Sequence, residues 1–354
     1  MPLSGLAVVV ATALAIPVSR VGAPSPDVLV TLGRRLFEDT RLSGDGTVSC
    51  AKCHRAEEAF ADHEAVARGI GGRKGTRNAP SVLNVQFSTS FFWDGRRATL
   101  EEQIGDPFIN PNEHGLKDHE VLLAIVRRDE EYLRQFHLAF RGALEAPSVG
   151  QIEQAIAAYL RSLRAVDSPF DRYRGGDVRA LTEAQRRGLT VFEGRGRCVT
   201  CHRTAGAIAS FTDDAFHAGR LPEAIARDLS SITALVANTP PAARFALIGS
   251  RSDVAALGRF VVTLDPADIG KFRTPSLRNV AVTPPYMHDG SAGTLEQAIH
   301  LEAYSRSERP LILTPSEVAD LAAFLGSLTS AVSTTLADAK PAIGAMRAPS
   351  QPER

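Results

Sequence analysis

Apolar residues recur at three- and four-residue spacing in several stretches of the chain, while the strict alternation expected of strands is scarce. Helices are predicted over 26–37, 119–127, 149–164, 182–193 and 315–328. Thr314 and Glu317 suit the start of the last one, where a hydroxyl and a carboxylate can satisfy backbone N–H groups of the first turn. A mostly α fold with long loops follows. Residues 6–16 (LAVVVATALAI) are too few for the roughly 20 that a membrane-spanning helix needs. They read as the apolar part of a signal peptide over 1–23, although no Lys or Arg precedes them; an uncleaved N-terminal anchor is the competing reading. Nothing later resembles a membrane span.

The 354 residues suffice for two or three domains. Forty basic and forty acidic side chains cancel, so no bulk electrostatic attraction to nucleic acid or anionic lipid is expected. The four cysteines change the picture most. Cys50-Ala-Lys-Cys53-His54 and Cys198-Val-Thr-Cys201-His202 both read Cys-x-x-Cys-His, the signature of covalent c-type haem attachment. Two thiols about one helical turn apart can form thioethers to the two vinyl groups of a porphyrin, and the next residue places an imidazole under the iron. His54 and His202 are then the proximal ligands of two haems c. Zinc fits poorly, since the pairs lie far apart and each adjoins a His. A thioredoxin-like reading would need a βαβ pattern, which is absent. Such haem attachment also implies export to the periplasm.

The segment after each haem motif is repeated. Pro80-Ser81, Asn84-Val85, Asp94-Gly95, Thr99-Leu100-Glu101 and Ile104 recur as Pro275-Ser276, Asn279-Val280, Asp289-Gly290, Thr294-Leu295-Glu296 and Ile299, a constant offset of 195 positions. The haem histidines, at 54 and 202, are offset by only 148, so the second half carries 47 extra residues within 203–272. Pro240-Pro241 suggests a surface excursion there, with a helix-like stretch near 221–236. A duplicated haem module argues for two domains, 24–176 and 177–330, followed by a flexible tail over 331–354. The copies differ at polar and redox-capable positions: Trp93 corresponds to His288 and Gln103 to Ala298.

With Arg77-Asn78-Ala79-Pro80-Ser81, Phe92-Trp93-Asp94-Gly95-Arg96 and Phe272-Arg273-Thr274-Pro275-Ser276-Leu277-Arg278-Asn279 added to the haem motifs, the chain resembles the bacterial di-haem cytochrome c peroxidase and MauG family. The resemblance implies two cytochrome c-like domains packed face to face. Electrons from a small exported cytochrome or copper protein would enter at the haem of His202, and hydrogen peroxide would be split at that of His54. It also implies that Trp93 lies between the haems as an electron conduit, that Gln103, Pro107 and Glu113 form the distal pocket, and that Asn78 binds calcium with carbonyls near Thr274 and Pro275. Relatives are often homodimers. Splitting H–O–O–H needs a base that takes a proton from one oxygen and returns it to the other, a role for Glu113 if burial raises its pKa, with Gln103 orienting the peroxide.

The chain departs from the pattern in two places. Many relatives carry a distal His about sixteen residues beyond the first proximal His, where this chain has Ile70; His63 is nearby but out of position. A five-coordinate peroxidatic haem is therefore expected, as on the MauG side of the family, whose members oxidise Trp or Tyr of a partner protein. Eight residues beyond Thr294, where relatives place Met or Tyr, stands Glu302, a poor haem ligand. His300 and Tyr304 lie four apart on one helical face and are the alternatives, His300 preferred. Met287, aligned with Phe92, reads as packing. A plain electron-transfer cytochrome with two six-coordinate irons is the reading from another class.

Overall fold

The structure, a computed structural model, describes residues 26–140, 146–219, 221–305 and 310–333. The expected signal peptide lies outside these residues, as does the expected tail beyond Ser333. Residues at the start of that tail are held in place: Arg164 and Ser333 exchange backbone hydrogen bonds of 3.0 and 2.7 Å.

The first core is built on helices α1 (Pro26–Glu38), α2 (Cys50–Cys53), α3 (Leu100–Ile109), α4 (His119–Arg128), α5 (Glu130–Ala139) and α6 (Val149–Ser162). Local chemistry starts most of them. Thr99 with Glu102, and Ser148 with Gln151, form reciprocal caps on α3 and α6, while Asp118 and Asp129 accept from N–H groups of α4 and α5. Leu32, Leu36 and Phe37 of α1 pack with Ile152, Ile156 and Leu160 of α6 in one buried cluster. The backbones approach closely at Gly33, where a Cβ would collide with the Ala155 carbonyl.

The second core repeats this plan with α7 (Pro169–Arg174) and α8 (Glu183–Glu193). Five short helices follow: α9 (Glu223–Arg227), α10 (Leu229–Ala237), α11 (Pro241–Ser250), α12 (Ser252–Ala255) and α13 (Phe260–Thr263). Last come α14 (Leu295–Ser305) and α15 (Pro315–Gly326). Gly188 of α8 meets the Asp320 carbonyl of α15 as Gly33 meets Ala155. Phe170, Phe192, Phe211 and Phe324 fill the space beside it. Thr314 and Glu317 form the expected capping box. Helices α9 to α13 are bracketed by β1 (Phe216–Ala218) and β2 (Lys271–Arg273), which pair antiparallel with Phe216 opposite Arg273. The bracketed segment has its own apolar cluster, including Ile232, Val236, Ile248, Leu257 and Phe260.

The sequence repeat is a repeat of backbone conformation. Asn84 and Asn279 both adopt φ of 58°, and Phe92 and Met287, at 64° and 74°, share the left-handed region that side chains rarely enter. Bridges Phe91–Arg97 and Tyr286–Ala292 close the same turn in each copy. Among the described residues no helix is long and apolar enough to cross a membrane.

Candidate active site

One cavity of about 1510 Å³ is lined by both Cys-x-x-Cys-His segments. In each, the histidine follows a tight turn: His54 N–H donates to the Cys50 carbonyl at 3.0 Å and His202 N–H to the Cys198 carbonyl at 2.9 Å. The Nδ1 atoms lie 3.2 Å from the Phe60 carbonyl and 2.9 Å from the Phe211 carbonyl. A carbonyl only accepts, so each Nδ1 carries the proton and each Nε2 the lone pair that an iron needs. Phe60 and Phe211 both have positive φ, 57° and 53°, so one backbone device serves both histidines. Burial lowers the pKa of His54 and favours the neutral ring. No disulfide joins the four cysteines, which all line the cavity. Burial pushes Cys50 and Cys53 up to about 12 and Cys198 up to about 11, so the thiols stay protonated. Fixed tautomers, paired thiols and an enclosed volume fit two covalently held haems.

Around His54 the cavity is also lined by Gln103 and Pro107 of α3 and by Glu113 and His114 of the following turn. That turn closes through Glu113 N–H to the Asn110 carbonyl at 3.0 Å and His114 N–H to the Pro107 carbonyl at 3.2 Å. The Asn110 amide donates to Glu113 Oε1 at 2.6 Å. Burial raises the Glu113 pKa, outweighing the Arg96 charge and the Asn110 hydrogen bond, which lower it. His114 is 4% exposed, its Nε2 lies 3.9 Å from Cys50 Sγ, and its Nδ1 has no hydrogen-bond partner. Burial drives its pKa down to about 4, so it is neutral near pH 7.

Trp93 links the two halves. Its Nε1 donates to the Asn78 carbonyl at 3.0 Å, Asn78 N–H donates to the His288 carbonyl at 2.9 Å, and Arg273 N–H donates to the Trp93 carbonyl at 2.8 Å. Two positions related by the repeat, 93 and 288, thus meet through the backbone of one residue, Asn78. Asp94 beside Trp93 is 0% exposed and bonded to Arg77 at 2.9 Å and Arg96 at 3.0 Å. Burial opposes its ionisation, but the two guanidinium groups more than offset that and hold its pKa below the ordinary value.

The model of the di-haem cytochrome c peroxidase family matches residues 27–179. Cytochrome c peroxidase Ccp of Escherichia coli K12 is 34% identical over 319 residues, covering 89% of this chain and 61% of that protein. The methylamine utilization protein MauG of Methylophilus methylotrophus is 33% identical over 308 residues, 84% of this chain and 81% of its own length. The chain belongs to the di-haem cytochrome c peroxidase family. The crystal structure of a MauG-like protein associated with microbial copper homeostasis matches it with a TM-score of 0.69 and 32% identity, over 90% of this chain and 96% of that one.

Within this family frame, Gln103, Pro107, Glu113 and Trp93 share one cavity with both haem-attachment segments. His300 does not reach it. It is exposed on α14, and Tyr304, 62% exposed, points away as well; the helix presents Ala298, Ile299, Leu301, Glu302 and Ala303 to the cavity instead. The 300/304 face is the outer face of α14. The repeat register gives the reason, because Glu302 stands where the first copy has the cavity-lining Pro107. Met287, expected as packing, lines the cavity too. His63 is exposed and lies 3.6 Å from Glu58. Ile70 is anchored by its N–H to the Glu113 carbonyl at 2.9 Å. Asn78 is buried, with its amide nitrogen on the Glu64 carbonyl at 3.2 Å; the Thr274 carbonyl accepts from the Thr212 hydroxyl at 2.7 Å. Sequence reasoning missed His114, whose only signal was its place next to Glu113.

Proposed function

We propose that this protein is an exported di-haem peroxidase that reduces hydrogen peroxide to water on the N-terminal side, with electrons delivered from the C-terminal side. The observation that carries this reading is the Glu113 carboxyl, raised in pKa by burial and facing the same cavity as His54 and Gln103. Haems held by Cys50, Cys53 and His54 and by Cys198, Cys201 and His202 would supply the redox chemistry. The rest falls to side chains. Ionised Glu113 accepts the proton of one peroxide oxygen and returns it to the other as the O–O bond breaks, while Gln103 orients the molecule by hydrogen bonding. Each peroxide consumes two electrons and two protons and yields two waters. Pro107 contributes an apolar ring to the wall that Gln103 and Glu113 share.

The domains 24–176 and 177–330 are read as two cytochrome c-like units packed face to face, with Trp93 and His288 at their contact. The electron donor is a small exported cytochrome or copper protein, the location is the periplasm, and the assembly is a homodimer. With its nitrogen committed to Glu64, the Asn78 carboxamide offers an oxygen of the kind calcium takes. One observation favours a second reading, a MauG-like oxidant of Trp or Tyr on a partner protein: the loop opposite Glu113 carries Ile70, which cannot ligate iron.

The test is peroxide turnover by the holoenzyme with a reduced cytochrome donor. Glu113→Gln should lower kcat by about 100-fold or more, the usual share of general acid–base catalysis. Wild-type rates from that variant would remove Glu113 from the chemistry. Oxidation of an added protein by wild type without donor consumption would favour the second reading.

A further inference from the structure

Helix α11 belongs to the 47-residue excess of the second half, yet it packs on the first. Phe245, Ile248 and Gly249 stand at i, i+3 and i+4, so they share one face, and all three line the cavity. What that face meets is the turn that carries Glu113. A Cβ on Gly249 would lie 3.3 Å from both Nδ2 and Oδ1 of Asn110, the amide that holds Glu113 at 2.6 Å. The Phe245 ring lies 5.6 Å from the Arg97 guanidinium, just before α3.

The last carbonyls of any helix lack partners within it. Here the first half supplies them. The Thr76 hydroxyl donates to the Ile248 carbonyl at 2.5 Å, and the Asn112 amide donates to the Gly249 carbonyl at 2.7 Å. Further along the segment, the Ala255 carbonyl accepts from Arg77 at 2.8 Å, and Arg259 donates to the Asp94 and Gly95 carbonyls at 2.9 and 2.8 Å. Ile248 is 3% exposed, so the contact is packed as well as bonded.

We propose that the segment inserted into the C-terminal half is the outer wall of the N-terminal peroxide site, and that Phe245 sets the size of the hydroperoxide that reaches Glu113. The substrate class this wall selects is the small, unsubstituted peroxide over bulky organic hydroperoxides. The proposal rests on the reading that peroxide reacts beside Glu113, and the experiment separates the two.

Holoenzymes of wild type, Phe245→Ala and Phe245→Trp are compared by two ratios. One is the stopped-flow rate with cumene hydroperoxide over that with hydrogen peroxide. The other is the affinity of the reduced protein for tert-butyl isocyanide over that for carbon monoxide, which requires no turnover. Phe245→Ala should raise both ratios by about tenfold and Phe245→Trp should lower them, as expected when one pocket side chain changes volume. A purely structural role would slow both partners of each pair together and leave the ratios unchanged. Ratios within about twofold of wild type in both variants would overturn the wall. Isocyanide ratios that move while wild type turns over no peroxide would uphold the wall and reject the peroxide reading.

Discussion

At Glu113, burial and hydrogen bonding act in opposite directions, and burial wins. The group must be ionised to take a proton, so the peroxide reaction should slow as the pH falls through a pKa above the ordinary carboxylate value. This acidic limb should vanish in Glu113→Gln, which stopped-flow rates across pH would check. The linked stability has the opposite dependence. With its folded pKa raised, Glu113 contributes stability fully below the unfolded carboxyl pKa and loses it as pH rises through the folded one. His300 makes the complementary case. A residue exposed on α14 cannot ligate an iron in the cavity, so His300→Ala should leave the absorption and electron paramagnetic resonance spectra of both haems unchanged; a changed low-spin signal would restore it as a ligand. His54 and His202 were legible because spacing alone dictates their chemistry. The orientation of His300 depended on which face of its helix the core covers, which spacing does not say.

Among the elements, the helices legible in the sequence were those with a strong apolar stripe and a good start. The expectations at 26–37, 119–127 and 182–193 match α1, α4 and α8 within a residue. The helix-like stretch near 221–236 became two short helices, α9 and α10, broken at Asp228. Helix α3 shows in the sequence only as a Thr-Leu-Glu motif shared with α14, whose 300–304 stretch alone reads as helical; α3 is ten residues long and contains Pro107, a residue that ordinarily ends a helix. The glycines at the two helix crossings had no signal in the sequence, since their requirement arises only when α1 meets α6 and α8 meets α15. Gly188→Ala places a methyl against the Asp320 carbonyl and the Phe324 side chain, and should cost about 1–3 kcal/mol as overpacking. Denaturant unfolding of the holoprotein followed by far-ultraviolet circular dichroism would measure it.

For the whole molecule, the contact between the halves decides what the haem modules do together. Trp93, Asn78 and His288 are joined by hydrogen bonds, and Arg259 ties the inserted segment to the Asp94–Gly95 turn. Trp93→Phe keeps a ring but removes the hydrogen bond to Asn78. Electron transfer from the C-terminal to the N-terminal haem, followed by stopped-flow absorption, should slow in this variant. An unchanged rate would make Trp93 a packing residue. The sequence by itself determined the covalent chemistry, the helical class and the duplication, because these follow from residue type, short spacings and a constant offset. Only the tertiary structure decided that His300 faces outward, that His114 is buried beside Glu113, and that residues near 245–249 pack against Asn110 and Asn112 of a turn far earlier in the chain. Each of these depends on which surfaces are excluded from water when distant segments pack, and no local pattern encodes that.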